Sequence, residues 1–427
     1  MVVAGAPVAR AEPRGHRRQE QTSEGHSTVA DVAPSPMREL IVPVVPAEGP
    51  TTEPAETLPG EEPQLEAELG VDASMWAIVL AGGIGSRFWP LSSPERPKQL
   101  LHLIGERPLI TETVARLAPL IPPERILVLT SRDIAPAIHA AIPEVPETNM
   151  LVEPRPLGTA AALAWGAQEI VRRAGPETIF CCLHADLAVS FPEFFRHTVI
   201  RAGRVAAREK SLVSVGVRAT RPETAFGYMR PGAPLGSGSV DDGTPCRVKS
   251  FIEKPGTVLA EMLVADGAFW NAGVFVWRAQ DVLDALGEYT AELAHGLQAL
   301  RERDFVRFAG MIQSVSIERG LLERCSNLIV VPGEFGWDDV GTWASLRRAR
   351  ELDDNGNGAH GPVYFVECTG NVVHSEGVPV VLYGLSGMLV VSLAGLTFVT
   401  TLDRASELKP LLDALPEELR SAHLSRE

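Results

Sequence analysis

The densest chemistry in this 427-residue chain lies in Ala81–Lys98, AGGIGSRFWPLSSPERPK. An apolar run, WAIVLA, leads directly into Gly82-Gly83-Ile84-Gly85 and then Ser86-Arg87, with Lys98 eleven residues beyond the arginine. Glycines at such a strand end let the main chain bring its N–H groups against a phosphate or a base edge. Ala81, Gly82, Gly83, Gly85 and Ser86 are therefore candidates for holding a nucleotide. Arg87 can fork two phosphate oxygens, and Lys98 can act as a point charge. Pro90, Pro94 and Pro97 keep the stretch from continuing as a helix, so it should wrap as a loop over its ligand. A dinucleotide fingerprint would need glycine where Phe88 stands, and a P-loop would need Gly-Lys-Ser/Thr, which is missing. The plainer alternative is a tight strand-to-helix turn with incidental cations.

Such a loop needs elements to hold it. From Met75 to about Arg350, short apolar runs (WAIVLA, RILVLTS, TIFCCLHA, SLVSVGV, RVKSFIE, GVFVWR, NLIVV) alternate with helix-like stretches, among them Leu109–Leu120, Thr159–Ala174 and Phe191–Glu209. Thr159, after Gly158, reads as the N-cap of the second of these. This alternation implies an α/β fold with a Rossmann-like, mixed but mostly parallel sheet and helices on both faces. Ligands in such sheets bind beyond the carboxyl ends of the strands. After the Gly-rich turn Glu351–Pro362 the texture changes to short strands without helices, closing on a helix at about Ser406–Leu415. No period there is strong enough to name a repeat. The expected division is a catalytic domain over 75–350 and a small β-rich C-terminal domain over 351–427, whose strand edges could also pair subunits into a homodimer.

Residues 1–74 hold ten prolines, eleven glutamates and no Phe, Trp or Tyr, too little apolar surface to offset ordering entropy, so the expectation is an unstructured extension. A buried strand beginning at Met75 with no lead-in raises Met75, or Met37, as an alternative initiator. The chain carries 39 Lys+Arg against 54 Asp+Glu, a net charge of −15 that argues against a nucleic-acid binder. Residues 378–402 carry no charge, yet Pro379, Gly384, Gly387 and Gly395 divide them into short Val- and Thr-rich strands, so no membrane span is expected. Arg17-Arg18 is followed by no apolar export segment. Cys181, Cys182, Cys246, Cys325 and Cys368 show no metal-ligand spacing and read as reduced thiols of a cytoplasmic protein.

LAGGIGSRFWPLSSPERPKQLL resembles the signature of the sugar-phosphate nucleotidyltransferases, and its WPLS and PKQ wording resembles the mannose-1-phosphate guanylyltransferases in detail. Further blocks follow in that family's order between Met75 and Leu412. VEPRPLGTAAALA is similar to the base-recognition segment, which implies Glu153, Gly158 and Thr159 near the guanine; the family usually has Asn at the position of Gly158. HADL resembles the metal-binding aspartate block, implying a Mg²⁺ ligand at Asp186 with altered neighbours. ETAFGYM implies Gly227 beside a sugar hydroxyl, FIEKP implies Glu253 on the sugar and Lys254 on its phosphate, and FWNAGVFVW implies Asn271 on the sugar. FGWDDVGTW implies Asp339 as the second Mg²⁺ carboxylate. Ser316–Glu323, SIERGLLE, departs from the family, which tends to carry Asp-Tyr and a Met there.

Taken alone, Asp186 could cap a helix, Lys254 could be an exposed strand end, and Asp338-Asp339 could be turn residues. Together the blocks imply transfer of GMP from GTP to mannose 1-phosphate, with Arg87, Lys98 and Lys254 offsetting the repulsion of two anions. Two alternatives stay open: another hexose 1-phosphate and nucleoside triphosphate pair, or a non-catalytic sensor of the sugar nucleotide.

Overall fold

The computed structural model describes residues 74–83 and 86–420, which belong to one compact unit. The expectations for residues 1–73, and for Gly85, lie outside the described residues. Strands β1 (Trp76–Leu80), β2 (Ile126–Ser131), β3 (Met150–Glu153) and β4 (Ile179–His184) are followed by a two-residue β5 (Ala188–Val189), then β6 (Leu212–Arg218), β7 (Gly227–Pro234), β8 (Cys246–Glu253), β9 (Phe269–Arg278) and β10 (Leu328–Pro332). All but β5 join one nine-stranded sheet in the order β3-β2-β1-β4-β9-β6-β10-β8-β7. Strands β8 and β9 run against the others, so the sheet is mixed and mostly of one direction.

Side-chain alternation along β1 shows why both faces carry helices. Met75 lies against Gly203 of the Pro192–Glu209 helix, while Ile78 lies against Gly166 of the Thr159–Ala174 helix. Odd and even positions of a strand point to opposite faces, so the two helices cover opposite sides. A Cβ on either glycine would come within 2.7 Å of those side chains, which is why glycine stands at both contacts. β1 and β4 are buried almost throughout, and the core they share includes Cys181 and Cys182. Burial pushes the Cys181 thiol up to about 12, and all five cysteines are free thiols.

Three helix boundaries differ from the sequence reading. The first helix ends at Leu117, with Leu120 in a following turn. Thr159 is the first helical residue, and Gly158 holds the cap position at φ +88°. The last segment divides into a turn at Arg404–Ser406 and a short helix at Lys409–Ala414, because Pro410 fits only a helix's first turn.

Beyond β11 (Trp337–Asp338), strands β12 (Gly358–His360), β13 (Val363–Val366), β14 (Val372–Ser375), β15 (Val380–Tyr383) and β16 (Met388–Leu393) stack in parallel coils, and β17 (Leu396–Thr401) returns antiparallel on β16. This is a repeat after all. Gly358 stacks on Val372 and Val372 on Leu389, spacings of fourteen and seventeen residues, and that inequality conceals the period in the sequence. Buried Asn371 ties one coil to the next: Asn371 N and Nδ2 donate to Asn357 Oδ1 at 3.0 and 2.9 Å, and its own Oδ1 accepts from Met388 N at 2.9 Å. The uncharged stretch 378–402 forms β15–β17, and no helix among the described residues is long and apolar enough to cross a membrane.

The coils pack on the Gly-rich loop. Phe88, Trp89 and Leu91 share a second core with Val391, Phe398 and Trp343, with Trp89 and Phe398 edge to face at 5.2 Å. Arg96 pairs with Glu376 at 2.7 Å, and buried Arg350 donates to Leu103 O on one side and to Val373 O and His374 Nδ1 on the other. We expect Phe398→Ala to lower the unfolding free energy by about 3 kcal/mol in a denaturant titration, the typical cost of emptying a buried aromatic site.

Candidate active site

The loop is closed at its base by side-chain amide chemistry. Ala81 O accepts from Gln99 Nε2 at 2.8 Å and from Thr130 Oγ1 at 3.1 Å, so the residue that opens the loop is bound to the residue that follows Lys98. Gln99 is buried, and its role was not visible in the sequence beyond its place in the PKQ wording.

Lys98 is only 6% exposed. Its ammonium lies 2.8 Å from Asp186 Oδ2 and donates to Asp339 O at 2.8 Å, with the Phe88 ring centroid 5.8 Å away. Residues 186 and 339 meet because β5 and β11 form a two-stranded antiparallel ribbon in which Asp338 stands opposite Ala188, two residues after Asp186. The turn beyond is forced by geometry: Val340 adopts φ +43°, and a Cβ on Gly341 would sit 2.3 Å from Asp339 Oδ2. Asp338 is taken up by Arg348 Nε at 3.0 Å and Val340 N at 2.8 Å, whereas the Asp339 carboxylate accepts from the Gly341 main chain and lies close enough to Lys98 and Asp186 to feel their charges.

The two carboxylates are electrostatically unequal. Burial pushes Asp186 up, but the adjacent Lys98 charge, His184 and the Lys98 hydrogen bond outweigh it and hold the group below the ordinary aspartate range. Asp339 is raised to about 6, first by burial and then by Asp338 and Asp186, against the pull of Lys98. One ammonium thus faces two converging acids with negative charge to spare. Hard carboxylate oxygens beside a phosphate-sized space suit Mg²⁺, which usually takes one or two carboxylates and completes its shell with water and substrate phosphates. No group of three metal-ligating side chains converges among the described residues, so Asp186 and Asp339 would be the protein's share.

Two cavities adjoin along Thr159 and His184, which line both. The first, about 310 Å³, is walled by Ala81, Gly82, Gly83, Lys98, Glu153, Gly158 and Asp186. Glu153, at the end of β3, accepts a hydrogen bond from the Leu157 main chain, yet its buried Oε1 has no partner among the described residues. Burial, partly offset by that bond, raises it to about 7. A Cβ on Gly158 would strike Val315 O at 2.5 Å, so only glycine fits where the related family has asparagine. Thr159 does not cap its helix; its Oγ1 accepts from Ile317 N at 2.9 Å, and Val315 O instead takes the Ala160 N–H. The segment that holds SIERGLLE thus packs on the start of this helix, through Ile317 N on Thr159 and, from the residue just before it, through Val315 O beside Gly158.

The second cavity, about 640 Å³, has Glu253, Lys254, Ser316, Glu318 and Arg319 in its wall. Glu253 Oε1 is 2.6 Å from Lys254 Nζ, and a Cβ on Gly227 would crowd Glu253 Oε2 at 2.7 Å. Because β9 runs antiparallel to β4, its first residues lie beside the carboxyl end of β4, where Asn271 Oδ1 accepts from Ser214 Oγ and Gly273 N, both at 3.1 Å. Gly273, at φ +66°, leaves room for the His184 ring. Neither Gly227 nor Asn271 lines a cavity directly; Glu253 and Gly273 connect them to it. Arg87 lies exposed on the Ser86–Phe88 turn, with no ion pair among the described residues. The two loop cations are therefore not equivalent, and the sequence reading, which noted HADL and SIERGLLE, gave no site role to His184, Ser316, Glu318 or Arg319.

A Gly-rich loop at the carboxyl edge of parallel strands, with acids and cations in the walls of two adjoining cavities, defines an α/β enzyme that handles nucleotides. The family model described as Nucleotidyl transferase matches residues 76–356. The XanB xanthan biosynthesis protein of Xanthomonas campestris strain B100 is 32% identical over 356 residues, covering 81% of this chain and 74% of that protein. A mannose-1-phosphate guanylyltransferase of Sinorhizobium fredii is 30% identical over 359 residues, covering 81% of this chain and 69% of its own. A crystal structure described as mannose-1-phosphate geranyltransferase from Thermus thermophilus superposes with a TM-score of 0.71 at 31% identity, over 80% of this chain and 98% of that one. The chain belongs to the nucleotidyl transferase family, and it is a nucleotidyltransferase.

Lys98→Met should lower stability at pH 7 by about 2–3 kcal/mol, because it strands a half-buried acid. Folded Asp186 holds its proton less tightly than an unfolded aspartate, so the pair stabilises above the ordinary aspartate pKa and the gain is lost as pH falls through the lowered value. The gap between variant and wild type in thermal unfolding should accordingly close in that acidic window.

Proposed function

We propose that this enzyme transfers GMP from GTP to α-D-mannose 1-phosphate, forming GDP-mannose and pyrophosphate. The observation that carries the reading is the pairing of Lys98 with Asp186 in the wall of the first cavity, with Asp339 O on the same ammonium, beside a second cavity that Thr159 and His184 join to the first and that Lys254 lines. The name of the Sinorhizobium fredii relative, 30% identical, supports the choice of substrates.

The acceptor's phosphate oxygen attacks the α-phosphorus of GTP, a new P–O bond forms, and the bond to the β-phosphate oxygen breaks with its electron pair leaving on pyrophosphate. The nucleophile is already anionic, so no general base is required; the task is to bring two anions into line. Lys254 holds the acceptor phosphate. Arg87, exposed and without a carboxylate partner among the described residues, folds onto the triphosphate, and the main chain of Ala81, Gly82 and Gly83 lines it. Lys98 keeps the two aspartates together and adds positive charge beneath the reacting phosphates. Glu153, with its unpartnered oxygen, accepts from the N1–H and amino group of guanine, next to Gly158 and Thr159. Glu253, Asn271 and the Gly227 main chain contact sugar hydroxyls. Mg²⁺, held by Asp186 and Asp339, would supply charge neutralisation on the phosphates.

A pyrophosphate-release assay with GTP, UTP, ATP and dTTP against mannose and glucose 1-phosphates tests this directly; the expected result is turnover with GTP and mannose 1-phosphate well above every other pair. Product binding without any pyrophosphate release would favour a sensor. Asp186→Ala and Asp339→Ala should each cut kcat by roughly a hundredfold or more while leaving the unfolding transition cooperative, and near-normal turnover would remove the metal assignment. Lys254→Ala should raise the KM for the sugar phosphate much more than that for GTP. Since Glu153 must be ionised to accept from guanine, the KM for GTP should climb as pH falls below about 7, and Glu153→Gln should flatten that climb.

A further inference from the structure

The wall of the larger cavity contains a cation that none of the sequence motifs assigns. Lys254 cannot serve an acceptor phosphate at full strength in the resting protein, because its ammonium is held 2.6 Å from Glu253 Oε1. The surroundings are acidic as well: Glu318 lines the same cavity, and the charges of Glu318 and Glu323 both act to raise Glu253, after its burial. A phosphate monoester carries close to two negative charges, so entering this space past one neutralised lysine would be unfavourable.

Arg319 removes the difficulty. It lines the cavity, is exposed, and makes no ion pair among the described residues. Its main chain is held from several sides: Arg319 N donates to Ser316 Oγ at 3.3 Å, Ile317 N to Thr159 Oγ1 at 2.9 Å, and Thr290 Oγ1 to Gly320 O at 2.8 Å. The segment Glu318–Leu322 is a single π-helical turn, a geometry that occurs mostly where a helix is locally reshaped at a functional site. A fixed backbone thus presents an exposed guanidinium, without an ion pair among the described residues, to a cavity whose wall also holds Glu253 and Glu318.

We propose that Arg319 is a binding residue for the acceptor, gripping the phosphate of the sugar phosphate by a two-pronged hydrogen bond while Lys254 approaches as a point charge. The inference rests on the acceptor being a sugar phosphate, as proposed above. It explains how SIERGLLE serves the reaction although its wording differs from that of the related enzymes: the planar fork matches a phosphate's oxygens, which a neutral side chain could not do.

The test uses the full-length enzyme with Arg319→Gln and Arg319→Lys. In steady-state assays Arg319→Gln should raise the KM for the sugar phosphate roughly 10- to 100-fold and leave the KM for GTP within about twofold, with Arg319→Lys recovering part of the loss. An unchanged acceptor KM overturns the proposal, and so does an equal rise in both KM values, which would mark a structural role through Thr159. Titration calorimetry with inorganic phosphate separates this from the reaction itself: weaker binding to Arg319→Gln than to wild type supports the assignment, and equal binding overturns it, even if wild type released no pyrophosphate with any hexose 1-phosphate and the function proposed above failed.

Discussion

Everything at the centre of this molecule hangs on the ammonium of Lys98. It is nearly buried, it touches the carboxylate of Asp186 and the main-chain carbonyl of Asp339, and it closes a loop whose other end is tied to Gln99 through Ala81. A charge so placed is tolerable only because it is paired and hydrogen-bonded. The same partnership holds together two acids that would otherwise repel each other, as the upward displacement of Asp339 by Asp338 and Asp186, after burial, attests. The local excess of negative charge is of the kind that suits a divalent cation.

The C-terminal coils belong to that arrangement as well. They contribute Phe398 and Val391 to the core beneath Trp89, and Glu376 to the loop's Arg96. Arg350, at the junction of the two textures in the sequence, donates to both sides at once. A loop rich in glycine and proline would have few internal reasons to keep one shape; packing it against a rigid stack of coils supplies the missing constraint.

The departures from the related family are informative in the same physical way. Gly158 and the SIERGLLE segment look unrelated in sequence, more than 150 residues apart. In space Val315 O occupies the room that a side chain at 158 would need, and Ile317 N reaches Thr159 Oγ1. The two segments therefore meet where the cavities adjoin: Gly158 lines the first, Ser316 the second and Thr159 both.

Much of this was legible in the sequence because it is local. Buried strands, the glycine-rich loop, the helix from Thr159 to Ala174 and the strand character of 378–402 follow from hydrophobic period, glycine and proline, which act over a few residues. Lys98 stood out by its place after the glycine-rich loop, whereas Asp186, Asp339, Glu153 and Lys254 were named through the resemblance of their motifs to a known family. Tertiary structure alone decided which of them meet: the β5–β11 ribbon that sets Asp338 opposite Ala188, the burial that gives Lys98 to the aspartates while Arg87 stays exposed, the loss of Thr159's capping role to Val315, and the unequal coils of the C-terminal stack. Those outcomes depend on contacts between residues tens to hundreds of positions apart, and neither composition nor spacing along the chain encodes the distance between two side chains in space.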